Sequence, residues 1–185
     1  MKDSADRSVV KGLVIGTIAM AVVVTASNVL VRYPINDWLT WGAFSYPVSF
    51  LVNDLTNRRL GPVQARRVVY AGFVCALFLS MVFSTPRIAI ASLSAFLIAQ
   101  LLDVHIFDRL RRAAWWRAPF ISSSVASAVD TLLFFALAFA ATGLPWVTWA
   151  IGDYGVKLAM AVCLLLPFRA LLEATRPPME SAEKA

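Results

Sequence analysis

Six hydrophobic runs follow one another along the chain, with short polar connections between them. Each run is close to the ~20 residues that an α-helix needs to cross ~30 Å of hydrocarbon. The pattern therefore predicts an all-α polytopic membrane protein with six transmembrane helices. The predicted spans cover residues 12–31, 38–55, 68–85, 88–107, 120–143 and 150–172.

The connections contain no Gly/Ser-rich or Pro-rich linker that would divide the chain. We therefore expect a single transmembrane domain over residues 1–176, followed by a polar tail over residues 177–185. The first run is not expected to be a cleaved signal peptide, because it lacks a small-residue cleavage site and five more runs follow it. These features leave the oligomeric state open.

Composition narrows the class of protein further. Of the 185 residues, 59% are hydrophobic and only 15% are charged, so the chain cannot cover a soluble globule with polar side chains. The only histidine, His105, lies at a predicted helix end, and the sequence has neither an HExxH pair nor a GxSxG motif. We therefore expect no enzyme activity, no catalytic residue, no metal site and no cofactor.

The distribution of positive charge predicts the orientation of the spans. Most of the 17 Lys and Arg residues lie near the chain ends or after the second and fourth spans, whereas the opposite connections hold only Arg32 and Arg87. By the positive-inside rule, both ends are expected in the cytoplasm, and the basic character does not indicate a nucleic-acid partner. The cytoplasmic set comprises Lys2, Arg7, Lys11, Arg58, Arg59, Arg66, Arg67, Arg109, Arg111, Arg112, Arg117, Arg169, Arg176 and Lys184. The expected interfacial anchors are Trp38, Trp41, Trp115, Trp116, Trp146 and Trp149.

Ionisable side chains inside the spans are costly in hydrocarbon and therefore indicate sites. Asp130 lies near mid-bilayer by helical rise, and Lys157 reaches a similar depth from the other side, at i+4 from Asp153. Such a set suits a small, planar, hydrogen-bonding ligand, although a buried charge network that only locks the helices together is the alternative. The outer half of the same layer adds further candidate substrate-binding residues: Asn28, Trp41, Phe44 and Tyr46.

A second polar group lies toward the cytoplasmic ends of the second and fourth spans. It comprises Asp54, Gln100 and Asp103, close to basic connections, with Arg58 at i+4 from Asp54. These residues are predicted either to serve in gating or coupling, or to form an interfacial salt-bridge network.

Several sequence segments resemble the queuosine precursor transporter family, whose members are six-helix bacterial inner-membrane proteins of the vitamin-uptake type. The segments match in order and spacing over all but the chain ends, and DLTNR and QLLDVHIFDRLR are specific rather than generic hydrophobic patterns. They are WGAFSYP (residues 41–47), FLVNDLTNRRLG (50–61), ARRVV (65–69), AQLLDVHIFDRLRR (99–112), WWRAPF (115–120), SAVDTLLFF (127–135) and DYGVK (153–157).

The resemblance implies import of 7-cyano-7-deazaguanine or 7-aminomethyl-7-deazaguanine through the inner membrane, for salvage into tRNA queuosine. It also implies a fold similar to the substrate-binding subunits of energy-coupling-factor importers. The chain is then either a stand-alone transporter, possible also as a homo-oligomer, or a capture subunit that needs a separate energising membrane subunit. Gly12 and Gly16 form a GxxxG pattern that could dock such a subunit or serve ordinary helix packing, and any ATPase must belong to a partner because the chain has no Walker motif.

Overall fold

The computed structural model of the chain describes residues 2–30, 33, 35, 39 and 41–172, with side chains from Arg7 onward. These residues form eight helices and no strand. The helices are α1 (Lys2–Leu30), α2 (Gly42–Ser45), α3 (Val48–Leu60), α4 (Pro62–Phe83), α5 (Pro86–Leu110), α6 (Arg117–Phe139), α7 (Trp146–Cys163) and α8 (Leu165–Ala170). The predictions for the Lys2 side chain, Arg32, Trp38, Arg176, Lys184 and the tail 177–185 lie outside the described residues.

Within the described residues, five helical segments are long and apolar enough to cross a membrane. They are Arg7–Leu30, Pro62–Phe83, Pro86–Leu110, Arg117–Phe139 and Trp146–Ala170, the last of which joins α7 to α8 through Leu164. The all-α class that the sequence predicts is confirmed, and the long apolar helices agree with a membrane protein.

The second predicted span differs from the prediction, because its described residues form two short helices instead of one long one. Pro47 follows α2 and has no N–H to donate into the helix, so the regular hydrogen-bond ladder is interrupted there. The helix that follows, α3, has only 13 residues and packs against α1, α4 and α5. Because protein surrounds it, α3 can carry the buried polar side chains of Asn53, Asp54 and Asn57.

The helices pack closely around a core between α1, α4 and α5. Met20, Val68 and Phe96 are buried together there. Gly72 on α4 permits this approach, since a Cβ added at this position would lie 2.6 Å from Met20 Cγ. The most extensive helix pair is α5 with α6, and α6 packs in turn against α7.

The connections meet at two ends of the bundle. At one end, which we call the basic end, Arg58 Nη1 donates to Arg111 O (3.0 Å) and Arg111 Nη2 donates to Asn57 O (2.5 Å). At the other, which we call the opposite end, Arg87 donates from Nε to Leu137 O (3.1 Å) and thereby ties the start of α5 to the end of α6. Backbone carbonyls near helix ends accept hydrogen bonds from arginine side chains in this way.

Candidate functional site

A cavity of about 700 Å³ lies between α1, α2, α4, α5, α6 and α7, toward the opposite end of the bundle. We call it the main cavity. Its lining includes apolar and aromatic side chains together with a small number of polar and charged groups. This is the usual composition of a small-molecule site in a protein.

Three charged side chains, which we call the charge triad, meet at the main cavity: Asp130 on α6, and Asp153 and Lys157 on α7. Lys157 Nζ lies 2.8 Å from Asp130 Oδ2 and 2.6 Å from Asp153 Oδ2. Asp153 and Lys157 are one turn apart on the same face of α7, which lets one ammonium contact a carboxylate on its own helix and another on α6. Two carboxylates and one ammonium leave the triad with an excess of negative charge when all three groups are ionised.

Neighbouring polar groups hold Lys157 in place. Its ammonium donates a third hydrogen bond to Thr131 Oγ1 (3.0 Å), and Thr131 Oγ1 donates to Asp153 Oδ2 (2.8 Å). The Tyr46 ring lies 5.4 Å from Nζ, and its hydroxyl donates to Asp130 Oδ1 (3.0 Å). Since an ammonium has three N–H groups, Lys157 has none left for another acceptor in this arrangement.

The two carboxylates of the triad differ in how fully their oxygens are used. Both oxygens of Asp130 accept hydrogen bonds, from Tyr46 and Lys157, and its side chain is 7% exposed. The hydrogen-bond donors of Asp153 all meet Oδ2, and within the described residues Oδ1 accepts none; this side chain is 19% exposed. Asp153 therefore presents an unused acceptor at the cavity.

Aromatic rings form one side of the main cavity, which we call the aromatic wall: Phe134, Phe135 and Phe139 of α6 with Trp149 of α7. The centroids of Phe139 and Trp149 are 5.8 Å apart with an interplanar angle of 88°. Such edge-to-face packing holds the rings in place and leaves flat faces for a planar ligand.

The substrate-binding residues predicted from sequence fall into two sets. Asn28, Tyr46 and the charge triad line the main cavity. Asn28 Nδ2 donates one N–H to Val24 O (2.9 Å), and its second N–H remains available to a ligand. Trp41 and Phe44 lie against each other, with ring centroids 6.4 Å apart, and neither lines the main cavity.

Thr131 and the aromatic wall are not among the ligand contacts predicted from sequence. Thr131 adjoins Asp130 in sequence, but a threonine in an apolar run carries no signal that separates it from ordinary helix surface. Phe134 at i+4 from Asp130 was the available clue to the wall, because this spacing places both residues on one face of α6. Trp149 was predicted only as an interfacial anchor.

The residues predicted for gating or coupling lie together, deeper in the bundle. Asn53 Nδ2 donates to Gln100 O (3.1 Å) and to Asp103 Oδ2 (2.9 Å). Asp54 accepts hydrogen bonds from Ser122 and from Ser123, both at 3.3 Å. Neither aspartate forms an ion pair with any described residue, so the arginine salt-bridge alternative is absent from this part of the structure.

The positions of the His, Cys, Asp and Glu side chains relative to one another determine whether a metal ion could bind. Among the residues that the structure describes, His, Cys, Asp and Glu do not cluster in threes in a way that could hold a metal ion. The geometry is that of a ligand pocket, and we call the charge triad at its base the ionic floor.

Comparisons with known proteins agree on one family. A family model described as "Putative vitamin uptake transporter" matches residues 40–85 and 80–172. A protein named "Queuosine precursor transporter" from Escherichia coli (strain K12) is 37% identical, over 81% of this chain and 81% of its own length. A "Probable queuosine precursor transporter" from Haemophilus influenzae (strain ATCC 51907 / DSM 11121 / KW20 / Rd) is 33% identical, over 78% of this chain and 79% of its own length. No solved structure matches the chain.

Proposed function

This chain belongs to the queuosine precursor transporter family, and from that premise we propose that it imports queuosine precursors across the bacterial inner membrane for tRNA queuosine salvage. It is a membrane protein with a transporter role and not an enzyme. The proposed substrates are 7-cyano-7-deazaguanine and 7-aminomethyl-7-deazaguanine. The observation that carries the proposal is the main cavity, with its ionic floor and aromatic wall.

The proposed roles of the side chains follow from which hydrogen-bonding groups are free. A 7-deazaguanine presents a ring N–H beside an exocyclic amine, a donor pair that a carboxylate can accept. We assign this pair to Asp153, whose Oδ1 has no donor, and the ligand carbonyl to the spare N–H of Asn28. Lys157 and Asp130 then hold Asp153 in position at the charged side of the main cavity. The aromatic wall stacks against the fused rings of the ligand.

We further propose that α2 and α3 together make the second of six membrane crossings, with both chain ends in the cytoplasm. Support comes from the position of α3 inside the bundle and from the arginines gathered at the basic end, where the α3–α4 and α5–α6 connections meet. In this orientation the main cavity faces outward. We expect residues 1–176 to act as one domain.

The capture-subunit alternative gains no support from the GxxxG pattern on α1. A Cβ added at Gly12 would lie 3.1 Å from Leu60, and one added at Gly16 would lie 2.9 Å from Thr56. These glycines therefore serve the packing of α1 on α3 inside this chain, which is the ordinary use of small residues in membrane helices. We accordingly favour a stand-alone transporter over a subunit of an energy-coupling-factor importer.

Uptake of labelled deazaguanines in cells that cannot make them, with this gene as the only addition, tests the proposal. We expect label to accumulate in tRNA queuosine and to be displaced by either unlabelled deazaguanine. Binding to purified protein without uptake would favour the capture subunit instead. A well-inserted protein that neither binds nor imports these compounds would refute the function.

A further inference from the structure

We propose that Asp54 and Asp103, which we call the carboxyl pair, bind a proton that crosses the membrane together with the ligand. The inference rests on the proposed import function and adds the source of its driving force. It is carried by the burial of the two carboxyl groups, by the absence of an ion pair to either among the described residues, and by a water-sized polar cavity that Asp54 and Lys157 of the charge triad both line.

The carboxyl pair lies in the interior of the bundle, where α3 packs against α5. Asn53 of α3, which adjoins Asp54, donates to Asp103 Oδ2 (2.9 Å), so the two carboxyl groups are close together, and the residues are 2% and 0% exposed. An ionised carboxylate is costly to bury without a cation, and a second one nearby raises that cost. A proton on one of the two carboxyl groups removes this repulsion.

The remaining contacts of the pair leave room for that proton. Ser122 and Ser123 donate to the two oxygens of Asp54, and Asn53 donates to Asp103 Oδ2. Asp103 Oδ1 is buried and has no hydrogen-bond donor. A buried acceptor without a donor is costly, and a proton shared by the pair would remove that cost.

The groups that face the pair from neighbouring helices are almost all neutral. On α3 itself, Arg58 lies one turn away, but its guanidinium donates to Arg111 O. From α5, the neutral Gln100 amide lies one turn before Asp103, and its Nε2 donates to Ser49 Oγ (2.7 Å). α1 and α4 approach this part of α3 through Gly16 and Val68, which carry no charge.

From α6 and α7, the charged groups that approach Asp54 belong to the charge triad. Lys157 and Asp54 both line a second, small cavity of about 10 Å³, to which Ser123 and Ser127 also contribute. This volume is about that needed for one water molecule, and its polar lining offers the several partners such a water requires. Lys157 gives its three N–H groups to Asp130, Asp153 and Thr131, so it does not neutralise the carboxyl pair.

The small polar cavity gives the proton a route that accompanies the ligand. A proton enters from the main cavity, converts one carboxylate of the pair into a carboxylic acid, and leaves as H⁺ at the basic end. One proton and one deazaguanine then move in the same direction, with no other reactant. The coupling acts on helix packing, because loss of the proton makes α3 and α5 repel each other where they now touch.

Transport into liposomes containing only the purified chain tests the proposal. The probe is labelled 7-cyano-7-deazaguanine, which is uncharged, with the lumen made more alkaline than the medium. A difference of about one pH unit corresponds to about 1.4 kcal/mol per proton, which supports about tenfold accumulation at one proton per ligand. We expect accumulation of that order, its loss with a protonophore, and alkalinisation of an unbuffered medium when ligand is added.

The variants Asp103→Asn and Asp54→Asn test whether the carboxyl pair couples proton movement to transport without taking part in ligand binding. We expect each to bind ligand and equilibrate it across the membrane without accumulation. Asp108→Asn, the same change at a partly exposed carboxylate on α5, should accumulate ligand like the wild type. If neither pair variant folds, the wild-type response to the pH gradient and the alkalinisation still decide the question.

The outcomes distinguish the proton proposal from the proposed function. Wild-type protein that equilibrates the ligand but ignores the pH gradient would overturn coupling and leave import intact. Accumulation driven by a sodium gradient at equal pH would likewise overturn the proton site. Protein that neither binds nor moves either deazaguanine would overturn the import function and the coupling with it.

Discussion

Replacing the two carboxylates of the charge triad one at a time should show which one recognises the ligand and which one stabilises the fold. In Asp153→Asn, an amide N–H can face the ligand's donor pair in place of an oxygen acceptor. A hydrogen bond to a charged group contributes about 1.5–3 kcal/mol, so deazaguanine affinity should fall by about one to two decades. Stability should change little, because Asp153 is partly exposed and Lys157 keeps Asp130 at 2.8 Å.

Asp130→Asn should show the reverse pattern. The asparagine side chain has one acceptor oxygen, whereas Asp130 accepts from both Tyr46 and Lys157, so one of these buried donors loses its partner. Lys157 retains Asp153, which limits the expected loss of unfolding free energy to about 1.5–3 kcal/mol. Affinity should fall less than in Asp153→Asn, because Asp130 has no unused oxygen.

Two measurements on purified protein in detergent decide the matter: titration with labelled 7-cyano-7-deazaguanine, and thermal unfolding followed through tryptophan fluorescence. Asp108→Asn serves as the matched control and should leave both unchanged. Wild-type affinity in Asp153→Asn, combined with a large loss of affinity in a stable Asp130→Asn, would refute the assignment and place recognition on Asp130. Wild-type affinity in both variants would place the ligand elsewhere.

Three further predictions concern the aromatic wall, the core and the topology. Trp149→Leu should weaken deazaguanine binding by about 0.5–1.5 kcal/mol through lost stacking, measured by the same titration. Gly72→Ala should lower the unfolding free energy by about 1–3 kcal/mol in a thermal melt, because its new Cβ meets Met20 Cγ at 2.6 Å. In a chain freed of native cysteines, a cysteine at Thr142 should react with an impermeant maleimide added outside cells, and one at Ala113 should not.

Each of these three predictions has an outcome that would contradict it, and the two substitutions each have a control variant. Trp146→Leu removes a tryptophan that does not line the main cavity, so equal losses in both variants would point to a general effect on folding. Gly152→Ala adds a Cβ that has no atom within 4 Å, and an equal loss there would discount the packing explanation. Labelling from outside at Ala113 but not at Thr142 would invert the proposed orientation.

The sequence by itself determined the helical class and the chemical character of the protein. Runs of apolar residues cannot remain in water, and in lipid they must satisfy their backbone groups internally as helices. The placement of arginine followed from charge counting alone, and Asp130, Asp153 and Lys157 stood out because charge in an apolar helix is costly. The segments that resemble the family also required no coordinates, and the comparisons confirm that family.

Tertiary structure decided the contacts between helices. Hydrophobicity along the chain gives the depth of a residue but not the rotation and offset of its helix against a neighbour, which depend on packing such as that of Gly72 against Met20. For that reason the sequence could not show that α3 is a short buried helix or that Thr131 bridges the triad. The environment of Asp153 and the position of Asp54 near Asp103 likewise depend on where α6 meets α7 and where α3 meets α5, since each brings together side chains from different parts of the chain.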